Sequence, residues 1–213
     1  MTGPIDGVLC VHNAFRRDML QIDQEAYKLV GSEGDISQIL DRLHIMGEIL
    51  DFHARGEEEA VFPAVDDSVP LLTKTYIMDH RELDRLVSGL ELLRHGPDNL
   101  TAARETAALN QHLRLHLDKE DAFLYPLLRE HLSMPAQFSM IGHMSGSIPA
   151  EKSPMFVQWM FPLINLEERV IMAGIWKVLM PPDIFEMHKS LIRKAIPSPE
   201  WDELVRRSPD LKQ

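Results

Sequence analysis

The sequence predicts an all-α fold: an antiparallel up-down four-helix bundle followed by a C-terminal helical extension. Three observations carry that expectation. Apolar residues recur with the 3.6-residue helical period, no stretch shows the period-two alternation of a strand, and the breakers between periodic segments are short. Short connections make sequential helices antiparallel neighbours.

The first helix is expected from about Ile5 to Val30, stopping at Gly31-Ser-Glu-Gly34. The second opens with Asp35 as N-cap and Gln38 three residues on, a capping-box pattern. Its apolar stripe comprises Ile36, Ile39, Leu40, Leu43, Met46, Ile49 and Leu50, and it ends near Phe62-Pro63. The third runs from about Val69 to Arg94 and breaks at His95-Gly-Pro-Asp-Asn99. Asp98 or Thr101 caps the fourth, which continues to about His131. Beyond it, Gly142, Gly146, Pro149 and Pro154 mark a loop, and Met155–Met180 reads as one apolar helical stretch with Trp159, Phe161 and Trp176. After Pro181-Pro182, Asp183 with Glu186 reads as another capping box, for a helix to about Ala195. Ser198-Pro199 starts a last short helix carrying Trp201. The expected division is a bundle of residues 1–135 and an extension of residues 136–213. The extension should pack on the bundle, because so much exposed aromatic surface would be a liability.

Composition narrows the function. An apolar content of 45% is that of a globular protein, and a net charge of −11 argues against nucleic acid or an anionic membrane as partner. The lone Cys10 excludes an internal disulfide and a thiolate zinc site. The N-terminus shows no basic segment followed by an apolar run, and Met155–Met180 is too polar to span a bilayer. A soluble cytoplasmic protein is the expectation.

The residues that carry chemistry are His12, His53, Glu57, His80, His116 and Glu120. His53-Ala-Arg-Gly-Glu57 and His116-Leu-Asp-Lys-Glu120 each set an imidazole and a carboxylate four residues apart. On a helix this is about 6 Å along the axis and about 40° around it, so both groups leave one face together. Loop arithmetic brings the four histidines into one layer. About a turn centred near Glu33, His12 lies 21 residues before and His53 20 after. About Asp67, His53 lies 14 before and His80 13 after; about Pro97, His80 lies 17 before and His116 19 after. Equal distances from the turn of an antiparallel hairpin mean equal height.

Buried carboxylates and imidazoles are costly unless paired or bound to metal, and two carboxylates in one layer repel without a cation between them. Two metal ions bridged by Glu57 and Glu120 remove that penalty. Nitrogen and oxygen donors without sulfur suit iron or manganese. Six protein ligands for two metals leave positions for solvent, an oxo or hydroxo bridge, and an incoming diatomic. No Glu-x-x-His occurs in the chain, which separates it from ferritin-like sites, and the His-Glu-x-x-His of metalloproteases is also absent.

The order His … His-x-x-x-Glu … His … His-x-x-x-Glu, with Phe62-Pro63 and Tyr125-Pro126 behind the two motifs, resembles the hemerythrin-like, or HHE cation-binding, family over roughly residues 5–132. The resemblance implies a four-helix bundle around two non-haem iron ions. Family members bind dioxygen, nitric oxide or peroxide, sense iron and oxygen, or repair oxidative damage. The invertebrate oxygen carriers have two histidines four apart on the third helix and a terminal His-x-x-x-x-Asp. Here that helix offers His80, flanked by Tyr76 and Asp84, and the last pair is His-x-x-x-Glu. Fewer imidazoles favour reactive or sensing roles over reversible carriage.

The expected function is thus binding or reduction of dioxygen, peroxide or nitric oxide at a di-iron centre, served by a redox partner. As an enzyme it would be a di-iron oxidoreductase. The alternatives are a non-catalytic oxygen or iron sensor or carrier, and a di-iron oxygenase with an organic substrate walled by residues such as Trp159 or Trp176. Around the six residues, Tyr76 reads as core with a satisfied hydroxyl more than as a phenolate ligand. His112 reads as surface, and His44 faces away from the site. Glu58, Glu59 and Asp121 read as solvated groups or as groups that orient the ligands. Cys10 reads as a small hydrophobe, and His143, Glu167, Glu168 and His188 repeat neither paired motif.

Overall fold

A computed structural model of the chain describes residues 3–32, 34–66, 69–95 and 98–212. Among them there is no strand, and the fold is all-α. The turn centres Glu33, Asp67 and Pro97 lie outside the described residues. Packing divides the chain into two units, residues 15–131 and residues 3–14 with 132–212. No helix among the described residues is long and apolar enough to cross a membrane.

The first unit is a four-helix bundle. Its long helices are α1 (Ile5–Leu29, entering the unit at Phe15), α2 (Ser37–Gly56), α4 (Lys74–Glu91) and α5 (Asn99–Lys119), with short continuations α3 (Phe62–Asp66) and α6 (Tyr125–His131). Residues one helical turn apart supply the core: Phe15, Met19 and Ile22 from α1, Leu43, Met46 and Ile49 from α2, Leu83 from α4, and Leu109, Leu113 and Leu117 from α5 are all fully or nearly fully buried. Each side chain of this size stabilises the fold by about 1.5–3 kcal/mol on burial.

Polar contacts tie neighbouring helices in a closed ring. Arg42 of α2 donates to the buried Asp18 of α1 at 2.6 Å. Asn110 of α5 donates to Asp23 of α1 at 2.9 Å. His44 of α2 lies 3.2 Å from Glu91 of α4, and the Tyr76 hydroxyl of α4 donates to the Lys119 carbonyl of α5 at 3.4 Å. Between α2 and α4 the Val87 side chain packs onto Gly47, where a Cβ would meet Val87 Cγ1 at 2.7 Å.

Several helix ends differ from expectation, each for a local reason. Asp35 accepts from the backbone N–H of Ser37 at 2.9 Å and from its hydroxyl at 2.7 Å, a tight turn that starts α2 at Ser37 with no capping box. Asp98 does cap α5, accepting from Thr101 N–H at 2.7 Å. The second helix does not end at Phe62-Pro63. It passes through a π turn, Glu57–Val61, and resumes as α3, and the fourth does the same through Glu120–Leu124 into α6. In both, a proline stands six residues after the glutamate, at Pro63 and Pro126. A proline in a regular α-helix has no N–H to donate and its ring strikes the carbonyl four residues back. The wider i→i+5 turn, closed by Phe62 N–H to Glu57 O and Tyr125 N–H to Glu120 O, accommodates the ring without ending the helix.

The second unit contains α7 (Met134–Ser145), α8 (Ser153–Leu163), α9 (Leu166–Leu179), α10 (Pro182–Ala195) and α11 (Ser198–Arg207), with residues 3–14 of α1. Two expectations fail here. Gly142 lies inside α7, because a glycine is tolerated in a helix whose Ile141 and Met144 are buried. Met155–Met180 is two helices: Pro162 weakens the end of α8, and Asn165 with Glu168 forms the complete capping box that starts α9. The box expected at Asp183 is not made, and Glu186 pairs with Lys189. The core joins Cys10, Ala14, Met160, Phe161, Trp176, Phe185, Ile192 and Leu204. Trp176 lies against Phe161 and His188, while Trp159 sits beside Phe156, so both tryptophans make ring contacts within their own unit.

The approach at Gly47 gives a paired expectation. Gly89→Ala, whose added methyl meets nothing within 4 Å, should stabilise the bundle by about 0.5–1 kcal/mol through helix propensity. Gly47→Ala should lose that gain and destabilise, since Val87 must move. Urea unfolding of both variants measures the difference, and equal stabilisation by both would refute the close packing of α2 on α4.

Candidate metal centre

At one level of the bundle α2, α4 and α5 turn charged side chains inward. His53 near the end of α2 and Glu57 at the start of the π turn that follows lie four residues apart, and His116 of α5 and Glu120 of its π turn repeat the arrangement. Nε2 of His53 lies 3.3 Å from Glu57 Oε1, and Nε2 of His116 lies 3.3 Å from Glu120 Oε1. His80 comes in from α4 between the two carboxylates, its Nε2 3.3 Å from Glu57 Oε2 and 3.9 Å from Glu120 Oε1. The two glutamates are fully buried and the three histidines nearly so. The bundle therefore brings together five of the six expected residues. His12, also fully buried, lies on α1 in the residues that group with the second unit.

The π turns bear on this geometry directly. Each begins at a glutamate and is closed by the N–H of the aromatic residue five positions on, which follows it directly. Five-residue bonding swings that aromatic side chain toward the glutamate's face, which an α-turn would give to the fourth residue. Phe62 accordingly stacks on the His80 ring with centroids 5.4 Å apart, and the Tyr125 hydroxyl donates to Glu57 Oε1. The rings of Phe15 and His53 meet edge-on at 5.5 Å, and Tyr76 lies 6.4 Å from His116. An aromatic shell thus lowers the dielectric around the donor atoms. The signal for these turns, a proline at the same offset behind each motif, was present in the sequence.

The electrostatics are those of two carboxylates forced together. Burial pushes Glu57 up, but the imidazoles of His53 and His80 outweigh it and hold the carboxyl well below its usual range. Burial, then Glu57, Asp121 and Asp79, push Glu120 well above it. Burial lowers the His80 imidazole, yet Glu57 and Glu58 prevail and raise it. The Tyr76 hydroxyl is pushed up to about 12 by burial and by Glu120, Asp79 and Glu57, so it keeps its proton at neutral pH and serves as a core donor to Lys119. The same causes, led by burial, raise Tyr125.

Donor atoms from Glu57, His80, His116 and Glu120 all lie within 4.8 Å of one another. Two donors held about 2.1 Å from one ion are at most about 4.2 Å apart, so small adjustments suffice to close them on a cation. His80 Nε2 is buried and makes no hydrogen bond among the described residues, as suits a lone pair reserved for a metal. Nitrogen and oxygen donors without sulfur fit a first-row metal such as iron or manganese.

The surrounding groups sort as follows. Glu58 lies 2.9 Å from His80 Nδ1, and Asp79, not anticipated from the sequence, lies 3.5 Å from His116 Nδ1. Burial pushes Asp79 up, but His116 and Lys119 bring it down to about 2. Asp121 accepts from Arg16 at 2.6 Å, and Glu59 is exposed. His44 is mostly exposed and His112 partly so. Cys10 donates to the Glu168 carbonyl at 3.7 Å. Glu167 pairs with Arg207, Glu168 caps α9, and His188 Nδ1 meets the Ile184 carbonyl, so these three have structural partners.

A family model described as the hemerythrin HHE cation-binding domain matches residues 4–128. Among curated proteins, the zinc finger protein BRUTUS of Arabidopsis thaliana is 26% identical over 185 residues, covering 84% of this chain and 15% of that protein. Two BRUTUS-like zinc finger proteins of the same plant are 22% identical over 183 residues, covering 81% and 80% of this chain and 15% and 14% of theirs. The chain thus spans a small part of these relatives. Their matches cover more residues than 4–128 contains, so the similarity runs into the C-terminal helices. No solved structure matches.

The opposed carboxylates give a pH expectation for metal-free protein. The unfolded chain ionises Glu120 near 4.5, whereas the folded chain keeps it protonated to higher pH. Folding takes up a proton in that window, so this group's contribution to stability falls as pH rises through it. Glu120→Gln removes the effect. Its stability relative to the parent should therefore increase from acid to neutral pH in chelator-treated protein. A flat difference would show that the two carboxylates do not oppose each other.

Proposed function

We propose, from the premise that the chain belongs to the hemerythrin HHE cation-binding family, that it is a cytoplasmic non-haem di-iron protein whose centre binds or reduces dioxygen, peroxide or nitric oxide. The observation that carries the reading is the buried cluster of Glu57, His80, His116 and Glu120, with His53 beside Glu57. In this reading His12, His53, His80 and His116 would supply the nitrogen donors for the two ions, and Glu57 and Glu120 the carboxylate donors shared between them. The irons would supply electrons and polarise the bound oxygen or nitrogen species.

The chain's own residues do the rest. Glu57 and Glu120 would bring two negative charges that offset half the charge of two divalent cations, and the imidazoles would add neutral donors. Phe15, Phe62 and Tyr76 exclude bulk water, which strengthens every interaction between the cations and their carboxylates. The Tyr125 hydroxyl ties Glu57 from outside the pocket and fixes one carboxylate's orientation. Six protein ligands leave coordination positions open to a small molecule, which favours reactivity or sensing over a closed structural site.

Anaerobic loading with ferrous iron should give about two metals per chain, falling on Glu120→Ala or His80→Ala while the helical circular dichroism persists. Separate addition of dioxygen, hydrogen peroxide and nitric oxide should then produce iron-dependent charge-transfer bands with at least one of them. Fewer than about two irons per chain together with no such band would defeat the proposal.

A further inference from the structure

We infer that Glu58 and Asp79 are positioning residues of the metal centre, each fixing the imidazole tautomer of a ligand histidine on a neighbouring helix. The purpose assigned to them rests on the di-iron reading; their geometry does not. Three consecutive residues of α4 are involved, and successive residues on a helix point about 100° apart. His80 points into the bundle. Arg81, after it, reaches toward α2 and donates to Glu58 Oε2 at 2.8 Å, while Glu58 Oε1 lies 2.9 Å from His80 Nδ1. Asp79, before it, reaches toward α5, where its Oδ2 lies 3.5 Å from His116 Nδ1 and accepts the Lys119 ammonium. The other oxygen of Asp79 is 4.0 Å from His112 Nε2.

The same three residue types thus recur, as His80–Glu58–Arg81 with the carboxylate at hydrogen-bond distance from Nδ1, and as His116–Asp79–Lys119 with the carboxylate at a longer 3.5 Å. In each, a carboxylate is held between a buried imidazole and a basic side chain nearer the solvent. Arg81 and Lys119 expose 62% and 43% of their side chains, against 1% for either histidine.

A neutral imidazole carries one proton, on either nitrogen, and only the other nitrogen can bind a metal. A carboxylate can only accept, so one placed at Nδ1 draws the proton there and leaves the lone pair on Nε2. In both histidines Nε2 is the atom that faces the buried glutamates. The binding tautomer is therefore set before a cation arrives, and the donor ring is held in orientation afterwards. A purely structural role would look different. Pairs as exposed as Arg81–Glu58 contribute little to stability, so their loss would scarcely be noticed by the fold.

The test uses metal-free full-length protein with nitrogen-15 in its histidines, in alkaline buffer where the rings are neutral. The parent should show His80 and His116 protonated on Nδ1. Glu58→Gln should mix the tautomers at His80 alone, and Asp79→Asn at His116 alone. Each variant should weaken ferrous-iron affinity about 10–100-fold at an unchanged unfolding midpoint, and Asp79→Glu should restore most of the affinity. A parent His116 or His80 carrying its proton on Nε2 overturns the inference without any variant. So do variants whose tautomers stay as in the parent, or whose affinity falls only in step with a loss of folding. A parent that binds no iron would fail the di-iron reading instead, and the tautomer measurement would still decide whether the two carboxylates position the rings.

Discussion

Two carboxylates buried in one layer of a helical bundle are the constraint on which the rest of this structure depends. Glu57 and Glu120 are fully buried in the same layer, where each bears on the other's ionisation. His53 and His80 settle Glu57 as the ionised partner, and Glu120 is driven toward its protonated form. Desolvating one such charge costs several kcal/mol and desolvating two side by side costs more, so a cation is the compensation the geometry asks for. The aromatic shell raises the stakes by keeping water out, and the closed ring of polar contacts between helices keeps the layer in register.

Much of this was legible in the sequence. Helical period and short breakers gave the four long helices, and equal distances from the turns put His53, His80 and His116 at one height, where the bundle brings them together. What escaped was information carried by hydrogen-bond register. Pro63 looked like a helix end because a proline normally is one, and only the i→i+5 bond from Phe62 shows how the helix goes on. Asp35 made its bond to Ser37 in place of the expected box, since a short polar side chain is as able to build a turn as a cap. Asp79 was invisible as a positioning group because its partner, His116, is distant in sequence and adjacent only once α4 lies on α5. Asn165 stands out in Met155–Met180 as one polar interruption among several, and only its capping box with Glu168 marks it as a helix start.

The C-terminal helices form a core of their own with the first residues of α1. Cys10 and Asn13 both meet Glu168, the residue that closes the capping box of α9, so one side chain serves the start of α9 and the seating of α1 within that unit. One boundary between the units, at Ala14 and Phe15, accordingly falls inside a continuous helix, and the other follows the end of α6 at His131. The curated relatives match residues beyond the family domain, which makes this second unit part of what is shared with them rather than an addition peculiar to this chain.

From His53 to Pro63 and from His116 to Pro126 the chain repeats one eleven-residue frame, with His, Glu and Pro at the same offsets. Each copy specifies an imidazole, a carboxylate, the widened turn and the aromatic side chain that the turn delivers. One of their differences reaches the site: where the first frame carries Phe62 before its proline, the second carries Tyr125, whose hydroxyl donates to Glu57. That single oxygen breaks the near two-fold equivalence of the motifs. The Phe62 ring has no hydroxyl to return to Glu120, so cations held in this layer would meet different surroundings on the two sides although the motifs share their spacing.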